Sequence, residues 1–263
     1  MWDAFVGFMI NILLYIYNLV GQNFGVAIIL FTLLVRLVTH PLTAKQMQGS
    51  QAMADMQKDK RWIEAQKKYK NDKEKLSQAQ MELYKELGIN PFASCLPTLI
   101  QLPIIIALYQ AVIQALAATP YDLVQFTNKI YAGLINFNQI YPLNHQFLWM
   151  DLGKPDMLNV ALGPWVLPLP ILAVLVVITT YIQSKLTTPP SNGPDDQSAA
   201  MANSMTMMMP FMMGYMALTL ASGLSLYFLA SNLIGIGQYA ILGKVNWSNL
   251  LPSTKKSNQP AKK

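Results

Sequence analysis

The sequence predicts an all-α integral membrane protein, with a core of five or six apolar spans and a charged helical hairpin outside the bilayer. Three observations carry this. Of 263 residues, 53% are hydrophobic and only 12% charged, whereas soluble domains carry about 25% charged residues. The charges are clustered, leaving long uncharged runs between them. Those runs are continuous rather than alternating, the pattern of spanning helices.

Taken in order, residues 1–20 (MWDAFVGFMINILLYIYNLV) fit either a first span or a helix lying in the interface. Asp3, Asn11 and Asn18 recur at about two turns as one polar face, and Trp2 and the tyrosines suit the headgroup region. A cleaved signal peptide is not expected, because the run has neither a basic start nor a small-residue cleavage site. Residues 21–41 form a span that carries one fixed charge, Arg36, five residues before Pro41. An arginine there either snorkels to the rim or sits in a polar cavity.

Residues 42–91 change character, mixing ten Lys/Arg with seven Asp/Glu. They read as a soluble helical hairpin. Asn71 and Glu74 have capping-box spacing for its second helix, and Gly88 is a C-cap candidate. Leu76, Ala79, Leu83 and Leu87 give that helix an apolar stripe. The first helix offers a thinner seam from Met56, Trp62, Ile63, Ala65 and Tyr69, so the hairpin is expected to bury little and to be mobile.

Residues 92–116 form a span interrupted by Pro97 and Pro103, residues 117–163 a loop with short helices against the membrane, and residues 164–186 a further span ending at Lys185. Residues 187–203 read as a loop punctuated by proline and glycine. Residues 204–243 hold two spans, turning at Ala221–Gly223, and the lysine-rich tail 244–263 should be disordered. The lone Cys95 excludes an internal disulfide and reads as a small packing residue.

Orientation follows from the cations. Residues 42–91, 185–203 and 244–263 hold sixteen Lys/Arg, against two in 117–163. The positive-inside rule puts the sixteen in the cytoplasm and, for five spans, the N-terminus outside.

Enzyme signatures are missing: no phosphate loop, no nucleophile with a base, no metal-ligand spacing at His40 or His145, and no carboxylate in any span. No catalytic residue, metal or cofactor is therefore expected. The missing acids also count against the rival reading, a small-solute channel or transporter. What remains is a set of intramembrane polar groups: Arg36, Thr32, Gln101, Gln183, Ser231, Asn232 and Gln238. Together they could form a hydrated groove, although each alone could simply bond another helix. Methionine is also concentrated, with eight between Met201 and Met216, and suits a surface that accepts varied apolar partners.

Several stretches resemble the YidC-type membrane protein insertases, relatives of the mitochondrial Oxa and plastid Alb insertases. They are TLLVRLVTHPLTAKQ (32–46), ELYKELGINPFASCLPTLIQLPIIIALYQAV (82–112), FLWMDLG (147–153) with LPILAV (169–174), and ASGLSLYFLASNLIGIGQYAIL (221–242). The resemblance implies a five-span core, an interfacial helix at residues 1–20, and a bacterial plasma-membrane location. It implies a groove arginine at Arg36, joined by Thr32, Gln101 and Gln183. It also implies a substrate slide on residues 92–116 and 204–220, including Leu102, Ile106, Met205, Met209, Met212, Met213 and Met216. Phe228 departs from the family, which often has tyrosine or tryptophan there, and removes a polar atom from the groove. The implied activity is insertion of nascent hydrophobic segments into lipid without nucleotide hydrolysis. Ribosomes or targeting receptors are expected at residues 45–87 and the basic tail, with the Sec translocon as a further partner.

Overall fold

The computed structural model describes residues 2–69, 72–89, 96–115, 120–131, 140–162, 165–187 and 197–241. Asn71, Cys95 and the tail 244–263 lie outside them. Among the described residues are ten helices: α1 (Trp2–Leu19), α2 (Phe24–Val38), α3 (His40–Met56), α4 (Lys60–Lys68), α5 (Lys73–Glu86), α6 (Leu96–Ala115), α7 (Pro120–Thr127), α8 (Ile171–Thr187), α9 (Gln197–Thr219) and α10 (Ser222–Ile241). Four short strands pair as antiparallel hairpins: β1 (Gln146–Phe147) with β2 (Met150–Asp151), and β3 (Leu158–Leu162) with β4 (Trp165–Leu169). The chain is thus mostly helical, with two small sheets that the all-α reading lacked.

The helix α10 is the axis of the bundle. It packs against α2, α6, α8 and α9, and its first ten residues are almost entirely buried. One apolar cluster joins it to α1, α2, α6, α8 and α9. By length and composition, α1 and α10 could each cross a membrane, as could α2 and α3 together, although they bend by 56° at their junction. Residues 101–114, 171–186 and 207–219 are shorter apolar helices.

Helix α1 has the length of a span, about 27 Å at 1.5 Å per residue, but its contacts lie at one end of the bundle. Trp2 Nε1 donates to Gln110 near the C-terminal end of α6 (3.3 Å). Asn11 Nδ2 donates to the Lys129 carbonyl (2.7 Å), and its Oδ1 accepts from the Tyr131 N–H (2.8 Å). The Tyr17 hydroxyl accepts from the Asn144 N–H (2.9 Å), and its ring meets Phe24, the first residue of α2, edge-on at 5.8 Å. The proposed polar face of α1 does not exist as one surface. Asp3 and Asn18 are exposed, but Asn11 is 2% exposed, turned inward because the loop supplies partners for both ends of its amide.

The charged region is built from α3, α4 and α5 rather than two helices, and it has its own small core. Met56, Trp62, Leu76, Leu83 and Tyr84 are buried together, flanked by Met53, Ala65, Tyr69 and Ile89. Helix α5 is N-capped by Asp72, whose carboxylate accepts from the Lys75 N–H (3.1 Å). Its C-terminus closes with Gly88 N–H to Lys85 O and Ile89 N–H to Tyr84 O, a Schellman pair with Gly88 at φ +63°.

Two boundaries shift for local reasons. The run PWVLPLP, which the sequence reading placed in a span, is strand over 165–169, and α8 starts at Ile171. Each proline biases the residue before it toward extended backbone, so helix begins only after Pro170. Helix α9 begins at Gln197, inside residues that read as loop, because Gln-Ser-Ala-Ala-Met lacks any breaker once past the prolines.

The loop between α7 and α8 supplies caps for two core helices. The Asp156 carboxylate is 5% exposed; it accepts from the Leu172 N–H in the first turn of α8 (2.7 Å) and from Trp149 Nε1 (3.1 Å). The carbonyls of Lys154 and Leu152 accept from the Ser222 and Gly223 N–H groups that open α10 (2.7 and 2.9 Å), and Ser222 Oγ donates to the Asp151 carbonyl (2.7 Å). These bonds answer the unsatisfied donors of two helix N-termini. Burial works against the Asp151 charge, but the Gly153 N–H, Lys154 and His145 outweigh it and hold this carboxyl below its ordinary range. Replacing Asp156 by alanine should strand the Leu172 N–H and lower stability by about 1–3 kcal/mol. Asn, which keeps one acceptor, should lose less. Thermal unfolding of the purified variants in detergent checks this, and an unchanged midpoint for Asp156→Ala would refute the cap.

Candidate functional site

The candidate site forms where the C-terminal turn of α2 meets the second half of α10. Four positions at helical spacing on α10, Tyr227, Ser231, Gly235 and Gln238, make one stripe facing α2. Arg36 is half-buried against it. Its Nε and one terminal nitrogen donate to Ser231 Oγ (3.0 and 2.6 Å). Gln238 Nε2 donates to the Arg36 carbonyl (3.1 Å). Among the described residues no carboxylate pairs with Arg36.

Gly235 lets the side chains close up. A Cβ there would lie 2.8 Å from Gln183 Nε2 and 3.3 and 3.4 Å from the terminal nitrogens of Arg36. Gln183, from α8, and Arg36, from α2, therefore meet over a bare patch of α10 backbone.

Gln101 enters from α6 and donates through Nε2 to the Tyr227 hydroxyl. Tyr227 is 1% exposed. It and Tyr239 lie within electrostatic reach of Arg36. Four helices thus converge on one positive charge with uncharged polar groups, an arrangement able to receive an anion or a strongly polar chain segment.

The seven sequence-predicted polar residues divide. Arg36, Ser231, Gln238 and Gln183 come together at one point, and Gln101 joins them through Tyr227. Thr32 does not present its hydroxyl to that point: it is fully buried and donates back to the Ile28 carbonyl (2.6 Å). Asn232 faces the other way, donating to Thr179 and Thr180 of α8 (3.1 and 2.8 Å), and ties α10 to α8. The sequence reading missed Tyr227, Gly235 and Tyr239. It marked Phe228 as a lost polar atom, and Phe228 is indeed buried among apolar groups, but the neighbouring Tyr227 supplies a phenol. Its spacing of four from Ser231 was the available signal.

The apolar slide residues also divide. Leu102 and Ile106 on α6 and Met212 on α9 are each close to half exposed. Met213 and Met216 pack against the core, and Met209 is intermediate. The Met205 side chain lies outside the described residues. Beside them α9 exposes Met207, Met208, Phe211 and Tyr215. The described residues thus hold a polar cluster around Arg36 and, on α6 and α9, exposed apolar side chains.

The family described as 60Kd inner membrane protein matches residues 15–248. The chain is similar to Membrane protein insertase YidC 2 of Bacillus anthracis, 33% identical over 92% of this chain and 80% of the relative. It is similar to Membrane protein insertase MisCA of Bacillus subtilis (strain 168), at 32% over 99% and 84%, and to Membrane protein insertase YidC of Clostridium tetani (strain Massachusetts / E88), at 34% over 92% and 93%. Among solved structures it resembles a crystal structure of an active YidC insertase with its first transmembrane domain resolved. That match has a TM-score of 0.54 at 27% identity and covers 92% of this chain. The chain spans about half the length, 46%, of that crystallised protein.

Proposed function

Since this chain belongs to the YidC-type family of 60Kd inner membrane proteins, we propose that it is a membrane protein insertase working through the Arg36 site as a hydrophilic intramembrane groove. The observation that carries this reading is the half-buried Arg36, paired with no carboxylate among the described residues and held by Ser231 among groups from four helices. The short polar or acidic flank of a nascent segment enters from the cytoplasm and is drawn to Arg36. Ser231, Gln183 and Gln101 offer hydrogen bonds in place of water, lowering a penalty of several kcal/mol per unsatisfied buried group. The apolar part of the segment meanwhile moves along the exposed faces of α6 and α9 into lipid. Its burial drives the step at about 25 cal/mol per Å², with no need for nucleotide hydrolysis or a covalent step.

The proposed topology has α2, α6, α8, α9 and α10 as five spans, with α1 lying in the outer interface. The anchors of α1 favour this, because they join the C-terminal end of α6 to the N-terminal end of α2. Helices α3–α5 and the tail then face the cytoplasm, where a ribosome or targeting receptor docks. With Cys95 replaced by serine, a cysteine at Lys67 should react only with membrane-permeant thiol reagents, and one at Gln146 with impermeant reagents from outside. External labelling at Lys67 would overturn the orientation.

Reconstitution tests the function. Purified protein in sealed liposomes should insert a short single-span substrate without nucleotide, and protein lacking residues 50–84 should insert it less efficiently when it is delivered by ribosomes. Vesicles that leak small solutes but leave the substrate outside would favour the channel instead.

A further inference from the structure

Arg36 is the third-last residue of α2, and the chain bends 56° between α2 and α3. Pro41 has no N–H for the carbonyl four residues before it, that of Leu37, and the helical ladder is interrupted at the bend. The carbonyl of Val35 is met locally, by the Thr39 N–H (2.9 Å) and the Thr39 hydroxyl (2.8 Å). That of Arg36 has only a long contact from the Thr39 hydroxyl (3.5 Å) and takes its good bond from Gln238 on α10 (3.1 Å). One carbonyl therefore links the residue bearing the charge, the bend, and the axis of the bundle. Beyond the bend, α3 leads into the hairpin cluster through Met53 and Met56.

The orientation of the Gln238 amide is fixed, because a carbonyl can only accept. Among the described residues its Oε1 has no partner. Without the Nε2 donor the Arg36 carbonyl would keep only the long Thr39 contact, so an apolar side chain of the same length would exchange one unpaired acceptor for another. What distinguishes the Gln238 bond is therefore its position, at the carbonyl where α2 bends.

We propose that Gln238 is a positioning residue: it clamps the α2–α3 bend through the Arg36 carbonyl and so keeps the guanidinium seated over Ser231 and Gly235. The inference rests on the groove reading above but assigns Gln238 a role toward Arg36 rather than toward substrate. The clamp also makes the direction of α3, and hence of the hairpin, depend on α10.

Gln238→Met tests it, since methionine keeps length and flexibility while losing the donor. Nitroxides at Gln51 on α3 and Leu233 on α10, both exposed, report the bend by pulsed EPR in the Cys95→Ser background. The Gln51–Leu233 distance distribution should broaden in Gln238→Met. At matched protein levels, insertion of an acidic-flank substrate relative to its neutralised counterpart should fall about fivefold, the effect of one hydrogen bond, with the neutralised substrate inserted within twofold of wild type. Equal loss on both substrates, or an unchanged distance distribution, overturns the clamp. Arg36→Ala is run alongside. If that variant is itself indifferent to flank charge, the groove reading fails, and the distance distribution alone decides the clamp.

Discussion

Arg36→Ala is expected to slow insertion of substrates with an acidic flank by up to roughly a hundredfold, and to leave neutralised versions of the same substrates nearly untouched. A carboxylate about 5 Å from the guanidinium, at an effective dielectric near 20, gains about 3 kcal/mol, and losing it from the capture step sets that factor. The structure sharpens the expectation. The guanidinium donates to the Ser231 hydroxyl and, among the described residues, to no carboxylate, so an incoming carboxylate can supplement that bond without breaking an ion pair. Arg36→Lys keeps the charge and should retain much of the activity, although it cannot reproduce the paired donation to Ser231. A snorkelling arginine gives another pattern: mild loss for every substrate, tracking protein abundance. Insertion of acidic and neutralised substrates at matched protein levels separates the two, and equal loss on both would remove the electrostatic mechanism.

The second large effect is on stability and arises at Gly25. A Cβ added there would lie 2.2–2.7 Å from three ring atoms of Phe147, too close for either to remain. Phe147 belongs to β1 and packs against the common core. Phe147 is partly buried, so Gly25→Ala should displace the ring and cost about 1–3 kcal/mol, the usual range for overpacking. Phe147→Ala alone should cost a similar amount. In the Phe147→Ala background, Gly25→Ala should become nearly neutral, since the clash is gone and alanine favours helix over glycine. Unfolding of the four proteins in detergent gives the coupling. Additive losses would show that the two residues do not share the site.

Much of this was legible in one dimension. Charge clustering separated the hairpin from the bundle, and hydrophobic runs marked α2, α6 and α10, because a helix in an apolar setting must satisfy its backbone within its own segment. Arg36 stood out for the same reason: a fixed charge in such a run is rare enough to be a signal without any partner in view. Gly88 was readable as a C-cap because a Schellman turn is completed by residues within one turn of it.

What the sequence could not assign was the destination of each polar group. Ser231 and Asn232 are adjacent and equally polar, yet one meets Arg36 and the other meets α8, because neighbours on a helix point about 100° apart and only the packing of α10 fixes which direction is which. Thr32 looked like a groove residue by its spacing from Arg36, but its hydroxyl can be satisfied by its own helix and its place is taken up by packing. Gln238, 202 residues from Arg36, has no local pattern to reveal that it holds a backbone carbonyl. The extent of α1 was similarly undetermined, since its length permits a span. Its bonds to residues 129, 131 and 144 come from chain segments whose positions relative to α1 only the folded bundle sets. The sequence determined by itself most of the helical segments, though not the starts of α8 and α9, and where the charge lies. The tertiary structure alone decided which side chains meet, because that depends on the rotation of each helix about its axis, and no local spacing encodes the rotation of its partner.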